Sequence, residues 1–363
     1  MTVPVAEPTA EPVPGAPLLE VTDLTTHFET PGGIVRAVDG VSLTLERGKT
    51  LGIVGESGSG KTVLSRSIMG LLPKRGTIRG GSVRFDGVEL MTRSPKEMRD
   101  FWGARMAMIF QDPMTSLNPV MKIGKQITES IRHHLDVDRD YATELAVNLL
   151  RSVRIPEPER RLRDYPHQLS GGMRQRVCIA VAMACGPALH FADEPTTALD
   201  VTVQAQVLDL MAAQQRERFM AIVLITHDLG VVAGRADEIA VMYAGRIVEK
   251  APTSVLFTQT RMPYTKALLS SIPKLEHPSH SRLATIPGRP PNLVAPPAGC
   301  KFAPRCAQAQ PRCLEEDPPL VPGSVPGHEY RCWFPVGTPE GDDALARNRA
   351  AGKTAGTTAG GAA

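Results

Sequence analysis

Between two apolar segments the chain reads Gly55-Glu56-Ser57-Gly58-Ser59-Gly60-Lys61-Thr62. This run fits the pattern G-x-x-x-x-G-K-[ST], in which a glycine-rich loop joins a buried strand to a helix. The residues from Thr50 to Val54 predict that strand, and we expect the helix to run from about Gly60 to Leu72. The segment therefore predicts an α/β fold built around a loop that binds phosphate groups.

The chemistry expected of this loop follows from its residue types. Glycines let successive backbone N–H groups point at a phosphate, and the helix N-terminus adds partial positive charge. Lys61 is expected to reach the β- and γ-phosphates, and the Thr62 hydroxyl to bind Mg²⁺. A glycine-rich turn that matches by chance is the alternative, and the strand–loop–helix context argues against it. The predicted nucleotide-binding residues of the loop are Gly55, Ser57, Gly58, Ser59, Gly60, Lys61 and Thr62.

A pair of acidic residues follows a second apolar stretch. Leu189 to Ala192 is apolar apart from His190, and Asp193 and Glu194 come directly after it. Asp193 is placed to join the Mg²⁺ shell, whereas Glu194 is placed to orient or deprotonate the attacking water. Asp-Glu after a strand is more often a solvated turn, but a phosphate loop in the same chain favours the catalytic interpretation.

Strands and helices are expected to alternate along the rest of the chain. Apolar runs predict strands at 106–110, 188–192 and 221–226, and helical patterns cover 120–163, 170–185 and 201–218. Strand-like residues from 19 to 46 surround a turn at 31–33. This order predicts a mainly parallel sheet covered by helices, with N-terminal antiparallel strands.

Bulk composition excludes several classes of function. The 363 residues carry a net charge of only +3, with 42% apolar and 22% charged residues, which gives no support for a nucleic-acid partner. The sequence contains no apolar run of the roughly 18–20 residues that a transmembrane helix needs. A basic segment followed by an apolar one is missing at the N-terminus, so export is not expected. Any membrane role must therefore come through partner proteins.

The segment Leu169-Ser170-Gly171-Gly172-Met173, here called the signature segment, carries a resemblance to a known family. With the phosphate loop and the Asp-Glu pair, the chain from about Leu18 to Lys250 resembles the ATPase subunits of ABC transporters. The resemblance implies an ABC-type nucleotide-binding domain in which Ser170, Gly171 and Gly172 bind the ATP held by an opposing subunit. The alternative is an ordinary helix N-cap at Ser170. Met173 departs from the glutamine common at that position.

The resemblance implies roles for four more residues. Gln111 is expected to sense Mg²⁺ and the γ-phosphate, and His227 to contact the γ-phosphate and support the catalytic water. Asp200 resembles a residue of the loop that crosses between subunits, with a helix N-cap as the alternative. Phe28 matches the aromatic residue that stacks on adenine, and a place in the core is its alternative.

Further segments narrow the resemblance to the oligopeptide/dipeptide branch of bacterial importers. They are Gln111 to Pro119, the Met-Pro-Tyr-Thr segment that begins at Met262 and lacks the family's histidine, and Ile286 to Leu293. The branch implies two transmembrane permease subunits, a second related ATPase subunit forming a heterodimer, and an extracytoplasmic solute-binding protein; a homodimer of this chain is the alternative to the heterodimer. It also implies a position at the cytoplasmic face of the membrane. Its members import peptides, nickel or glutathione, and an ATPase subunit does not choose the cargo.

Four cysteines lie close together near the C-terminus: Cys300, Cys306, Cys313 and Cys332, spaced C-x5-C-x6-C-x18-C. Such a group suits Zn²⁺ or an iron–sulfur cluster. The spacings are wider than those of zinc knuckles, which favours a [4Fe–4S] cluster, and the family resemblance favours it as well. Zn²⁺ and free or disulfide-bonded cysteines remain alternatives. A bound metal would hold together a proline-rich region with few apolar residues.

These observations predict four parts of the chain. Residues 1–17 are expected to be disordered because they are rich in proline, alanine and glutamate. Residues 337–363 are expected to be disordered because they are rich in glycine, alanine and threonine. Residues 18–255 should form the ATPase domain, with a helical subdomain at about 112–168, and residues 256–336 an appended domain that carries the cysteines. The competing class is a soluble ABC ATPase of ribosomes or DNA, but this chain has one phosphate loop and no long insertion before the signature segment.

Overall fold

The computed structural model describes residues 16–110, 112, 116–196, 201–272 and 285–353. Its strands, in chain order, are β1 (Pro17–Thr30), β2 (Gly33–Glu46), β3 (Thr50–Val54), β4 (Thr77–Phe85), β5 (Val88–Glu89), β6 (Met106–Ile109), β7 (Leu189–Asp193), β8 (Ala221–Thr226), β9 (Glu238–Tyr243), β10 (Arg246–Pro252), β11 (Val321–Pro322) and β12 (Glu329–Tyr330). Its α-helices are α1 (Lys61–Ile68), α2 (Pro95–Met98), α3 (Ile123–His134), α4 (Arg139–Ser152), α5 (Pro158–Arg161), α6 (Gly171–Ala182), α7 (Val201–Arg218), α8 (Leu229–Ala233), α9 (Thr253–Thr258), α10 (Pro263–Ser270), α11 (Pro311–Glu315) and α12 (Pro339–Ala350).

The described residues form two sheets, and the larger has the order β11-β12-β10-β9-β3-β8-β7-β6. Its central strands β9, β3, β8, β7 and β6 run parallel, as the alternation of strands and helices predicted. All five residues of β3 and all five of β7 are buried, which is typical of parallel strands covered on both faces. The predicted α/β fold with a mainly parallel sheet is confirmed.

The N-terminal strands form the second sheet, with the antiparallel order β2-β1-β4-β5. Strands β1 and β2 make a hairpin around Pro31 to Gly33, where the sequence predicted a turn. Helices α3, α4 and α5 lie within the range expected for a helical subdomain, and α3 packs against α4 and α6.

The C-terminal region is joined to the ATPase fold through the sheet and through the core. Strand β12 pairs with β10 and thereby extends the larger sheet. Phe302, Cys306 and Cys313 belong to the same buried apolar cluster as Tyr243 and Val248 of the ATPase domain. The appended region therefore shares its core with the ATPase domain.

The prediction of a disordered tail at 337–363 is wrong for residues 339–350, which form α12. The Thr338 hydroxyl caps this helix by accepting a hydrogen bond from the N–H of Gly341, and Pro339 occupies its first turn. Acidic residues lie in the first turn and arginines in the last, as the helix dipole favours. Residues 354–363, like residues 1–15, lie outside the described residues. Among the residues that the structure describes, no helix is both long and apolar enough to cross a bilayer.

Candidate functional site

The predicted site residues meet at one edge of the larger sheet. Strand β3 pairs in parallel with β8, and Val54 lies opposite Thr226; Asp193 of β7 lies opposite Ile225. The phosphate loop (Gly55–Thr62) follows the carboxyl end of β3, and His227 follows that of β8. Asp193 is the last residue of β7, and Glu194 comes directly after it. This edge is where open α/β sheets bind ligands.

The backbone of the phosphate loop is held in a tight curve. Gly60 has a φ of 103°, and a Cβ added there would lie 2.2 Å from the carbonyl oxygen of Ala37, so only glycine fits. Lys61 Nζ donates hydrogen bonds to the carbonyl oxygens of Gly55 (2.7 Å) and Glu56 (3.0 Å). Burial lowers the pKa of Lys61, and the nearby charges of Glu194, Asp193 and Glu56 oppose that shift. The loop therefore keeps a buried ammonium group among three carboxylates.

Thr62 and Asp193 lie side by side beneath the loop. The Thr62 hydroxyl donates a 3.1 Å hydrogen bond to Asp193 Oδ1, and Asp193 is 1% exposed. Burial raises the pKa of Asp193, whereas the Thr62 hydrogen bond and Arg66 lower it. A hydroxyl and a buried carboxylate in contact are oxygen ligands that suit Mg²⁺. The donor set therefore fits the metal ion that the sequence predicted.

Glu194 has an unusual backbone conformation. Its φ is 45°, in the left-handed region that non-glycine residues rarely adopt, and its N–H donates to the carbonyl oxygen of Ile225. Its carboxylate Oε1 lies 3.3 Å from Nδ1 of His227, whose side chain is 56% exposed. Strained residues of this kind cluster at functional sites. The structure thus brings Glu194 and His227 together at the end of the sheet.

The signature segment forms the start of α6. Ser170 is the N-cap, and its hydroxyl accepts a hydrogen bond from the N–H of Met173. Gly171 is helical, and a Cβ added there would meet no atom within 4 Å. The fold of the isolated chain therefore gives no reason for a glycine at this exposed position.

The other predicted residues are Phe28, Gln111 and Asp200. Phe28 is half-buried in β1, opposite Val35 of β2 and Thr77 of β4. Gln111 and Asp200 lie outside the described residues, so their predicted roles stay predictions.

Two contacts to the phosphate loop come from the appended region and were not predicted. The hydroxyl of Tyr264 accepts a hydrogen bond from the N–H of Glu56 (2.9 Å), and the Arg305 guanidinium binds both carboxylate oxygens of Glu56 (2.6 and 2.9 Å). Tyr264 lies in the Met-Pro-Tyr-Thr segment, and the family resemblance of that segment is the one feature of the sequence that points to it. Nothing in the sequence indicates the contact of Arg305, because a single arginine more than two hundred positions from the phosphate loop belongs to no local pattern.

The four cysteines line one small apolar cavity together with Phe302 and Trp333. Burial raises the pKa of all four thiols, that of Cys300 to about 11 and that of Cys306 to about 12. Among the described residues, however, no three His, Cys, Asp or Glu side chains are arranged as a set that could hold a metal ion. The thiols therefore fit a metal group by their chemistry and their common cavity, but not as a formed ligand set.

Comparison with known proteins identifies the family. Residues 38–197 match the family model of the ABC transporter, and residues 248–313 match that of the oligopeptide/dipeptide transporter C-terminal region. The chain is 51% identical to the oligopeptide transport ATP-binding protein OppD of Bacillus subtilis, over 87% of this chain and 88% of that protein. It is 48% identical to OppD of Salmonella typhimurium, over 90% of this chain and 97% of that protein.

The chain belongs to the ATP-binding subunits of ABC transporters, in their oligopeptide/dipeptide branch. Among solved structures, it resembles a dimeric ATP-binding cassette, MJ0796, in a post-hydrolysis state bound to ADP and phosphate. The TM-score is 0.59 at 24% identity, over 65% of this chain and 98% of that one, which shows a shared fold. As a member of this ABC family, the protein is an ATPase.

Proposed function

We propose that this ATPase powers the import of peptides through a membrane transporter. The observation that carries the proposal is that one chain matches both the ABC transporter family and the C-terminal region of the oligopeptide/dipeptide transporters. Relatives about half identical to this chain are named for oligopeptide transport in Bacillus subtilis and Salmonella typhimurium. A Brucella abortus relative, 48% identical over 87% of this chain, is named a putative peptide import ATP-binding protein. Nickel or glutathione as cargo is the alternative.

Uptake measurements test the cargo. The chain is produced with permease-type membrane proteins and a solute-binding protein from the same genome, in cells that lack their own peptide importers. Accumulation of a labelled tri- to pentapeptide that is lost in a Lys61→Ala variant supports the proposal. Peptide uptake that does not depend on this chain, together with dependent uptake of nickel or glutathione, would contradict peptide import.

The proposed chemistry uses the residues at the edge of the sheet. The amides of the phosphate loop and Lys61 bind the phosphates, and Phe28 stacks on adenine. A Mg²⁺ ion held by Thr62, Asp193 and Gln111 would supply positive charge to the phosphate oxygens.

Hydrolysis in this proposal depends on the pair that β7 and β8 bring together. Glu194 takes a proton from water while the water oxygen attacks the γ-phosphorus, and the bond to the β–γ bridging oxygen breaks. The products are ADP and inorganic phosphate. His227, 3.3 Å from Glu194, contacts the γ-phosphate and keeps the water and the carboxylate aligned.

We further propose that the active unit contains two ATPase subunits. Ser170, Gly171 and Gly172 would cover the ATP of the opposing subunit, and Asp200 would lie in the crossing loop. Gly171 supports this proposal, because a Cβ added there would meet open space in the single chain. The close approach of a nucleotide bound by the partner subunit would explain why this position is a glycine. The partner is expected to be a second, related ATPase subunit, with two permeases placing the pair at the cytoplasmic face of the membrane.

The cysteines Cys300, Cys306, Cys313 and Cys332 are proposed to bind a [4Fe–4S] cluster, with Zn²⁺ as the alternative. Four cysteines around one cavity, two of them buried and two partly buried, support this, and the group would serve to stabilise the appended region. Anaerobically purified protein is analysed for metals and for visible absorbance. About four iron atoms per chain support the cluster, about one zinc supports the alternative, and neither metal would contradict both.

A further inference from the structure

The appended region contacts the nucleotide site at the one residue of the phosphate loop that carries a negative charge. Glu56 is the second residue of the loop, and its carbonyl oxygen accepts a hydrogen bond from Lys61 Nζ (3.0 Å). A carboxylate carried by the loop that binds the phosphates repels a bound triphosphate. Left alone, Glu56 would weaken the electrostatic attraction that the loop offers to phosphate.

Arg305 of the appended region neutralises this carboxylate. Its two terminal nitrogens bind the two oxygens of Glu56 at 2.6 and 2.9 Å, the bidentate geometry in which arginine pairs most strongly with carboxylate. The Arg305 side chain is 3% exposed and that of Glu56 is 27% exposed, so bulk water screens the pair only partly. Burial alone would lower the pKa of Arg305, but its hydrogen bonds to Glu56 and Tyr243 raise it above the usual value.

The appended region also holds Arg305 and the loop in place. Arg305 Nε donates to the carbonyl oxygen of Pro287 (2.9 Å), and its guanidinium carbon lies 5.9 Å from the ring centroids of both Tyr243 and Phe302. The ring of Tyr264 contacts both aromatic residues, and its hydroxyl accepts the N–H of Glu56. The first turn of the phosphate loop is therefore fixed through both its backbone and its side chain.

Leu293 and Lys301 of the appended region also contact β2 and its surroundings, next to the phosphate loop. The carbonyl oxygen of Leu293 accepts the N–H of Arg36, and Lys301 Nζ donates to Asp39 and to the carbonyl oxygen of Ala244. These contacts hold β2, whose Ala37 carbonyl oxygen packs against Gly60. The residues from Leu293 to Arg305 thus support the phosphate loop from two directions.

We propose that Arg305 is a positioning residue for ATP binding, which acts by neutralising Glu56 and fixing the phosphate loop from the appended region. The proposal rests on the nucleotide-binding function of the site. It assigns the appended region a direct part in ATP affinity, carried by one arginine–glutamate pair and the Tyr264 hydroxyl.

The test is a double-mutant cycle on the full chain, read as the Kd for a fluorescent MgATP analogue. Arg305→Gln is expected to weaken binding about tenfold, which corresponds to about 1.4 kcal/mol. Adding Glu56→Gln to this variant should restore affinity to within about threefold of wild type, because the unpaired charge is then gone. Glu56→Gln alone should bind at least as tightly as wild type.

The control is Arg331→Gln, which removes another arginine of the appended region that donates to the ATPase domain, at the carbonyl oxygen of Ile247. It should leave the Kd unchanged. Unchanged affinity in Arg305→Gln, or no recovery when Glu56→Gln is added, would overturn the proposal. If Arg305→Gln does not fold, Glu56→Gln decides, since weaker binding by this variant contradicts the charge argument. Failure of the wild-type chain to bind MgATP would instead contradict the nucleotide site itself.

Discussion

Polar side chains are positioned differently at the edge of the parallel sheet and in the appended region. At the sheet edge, a few residues that follow neighbouring strands are brought together by the register of β3, β8 and β7. In the appended region, charged side chains are buried against distant partners, as in the pairs Arg305–Glu56 and Lys301–Asp39. The first arrangement is fixed by backbone topology, and the second by contacts between segments far apart in sequence.

This difference predicts how each region responds to substitution. Residues at the sheet edge should change turnover while the fold persists, because backbone hydrogen bonds hold their positions. Residues of the appended region should change stability or ATP affinity, because a buried polar group that loses its partner is costly.

The largest effect is expected for Glu194→Gln. Removing the group proposed to accept the proton of the attacking water should lower ATP turnover by about 10²–10⁴-fold, with MgATP binding retained. Phosphate release and nucleotide affinity are measured on the same preparation, and Glu144→Gln, at an exposed position of α4, serves as the control. Normal turnover in Glu194→Gln would show that another group activates the water.

A second substitution tests whether the signature segment serves a partner. Gly171→Ala should lower the turnover of the assembled transporter about a hundredfold, the effect of displacing a catalytic contact by about 1 Å. The stability of the isolated chain should stay the same or rise by up to about 1 kcal/mol, since alanine suits a helix better than glycine.

The control for that variant is Gly234→Ala. Gly234 also has open space around its Cβ position and no left-handed backbone, but it follows α8. Both variants are compared by phosphate release and thermal unfolding. Equal turnover in Gly171→Ala and Gly234→Ala would contradict a role for the signature segment at a partner's nucleotide.

The smallest effect is expected at the C-terminal helix. Asn348 is buried and donates to the carbonyl oxygens of Ala307 and Ala309, between two of the cysteines. Asn348→Ala should destabilise the protein by about 1–3 kcal/mol, because these carbonyl groups lose their donor. The melting temperature should fall by several degrees while the Kd for MgATP stays unchanged. Arg347→Ala, at an exposed position of the same helix, serves as the control. An unchanged melting temperature would mean that α12 contributes nothing to the appended region.

The sequence predicted the sheet edge well because its geometry is local. The strand from Thr50 to Val54 was predicted with the bounds that the structure has, and α1 begins at Lys61. This helix ends at Ile68 and not near Leu72, because Gly70 has a φ of 68°, a left-handed conformation that ends helices. Strand register then places Asp193 beside Thr62 without further information.

The appended region could be predicted only as a domain with clustered cysteines. The pairing of Arg305 with Glu56 spans 249 positions, and no pattern in either segment indicates it. The C-terminal helix is a different case, since its capping threonine, proline and charge distribution were all readable. The glycine- and alanine-rich composition of residues 337–363 predicted disorder instead, and that prediction was wrong for residues 339–350.

The most direct measurement is the titration of the folded full chain and its Lys61→Ala variant with MgATP. Wild type is expected to bind MgATP saturably, and the variant to lose at least about tenfold in affinity. Lys61, whose ammonium group donates to the carbonyl oxygens of Gly55 and Glu56, must turn toward the phosphates when ATP binds. Equal affinity of the two proteins, or no binding by either, would contradict a phosphate-binding loop at the edge of the sheet.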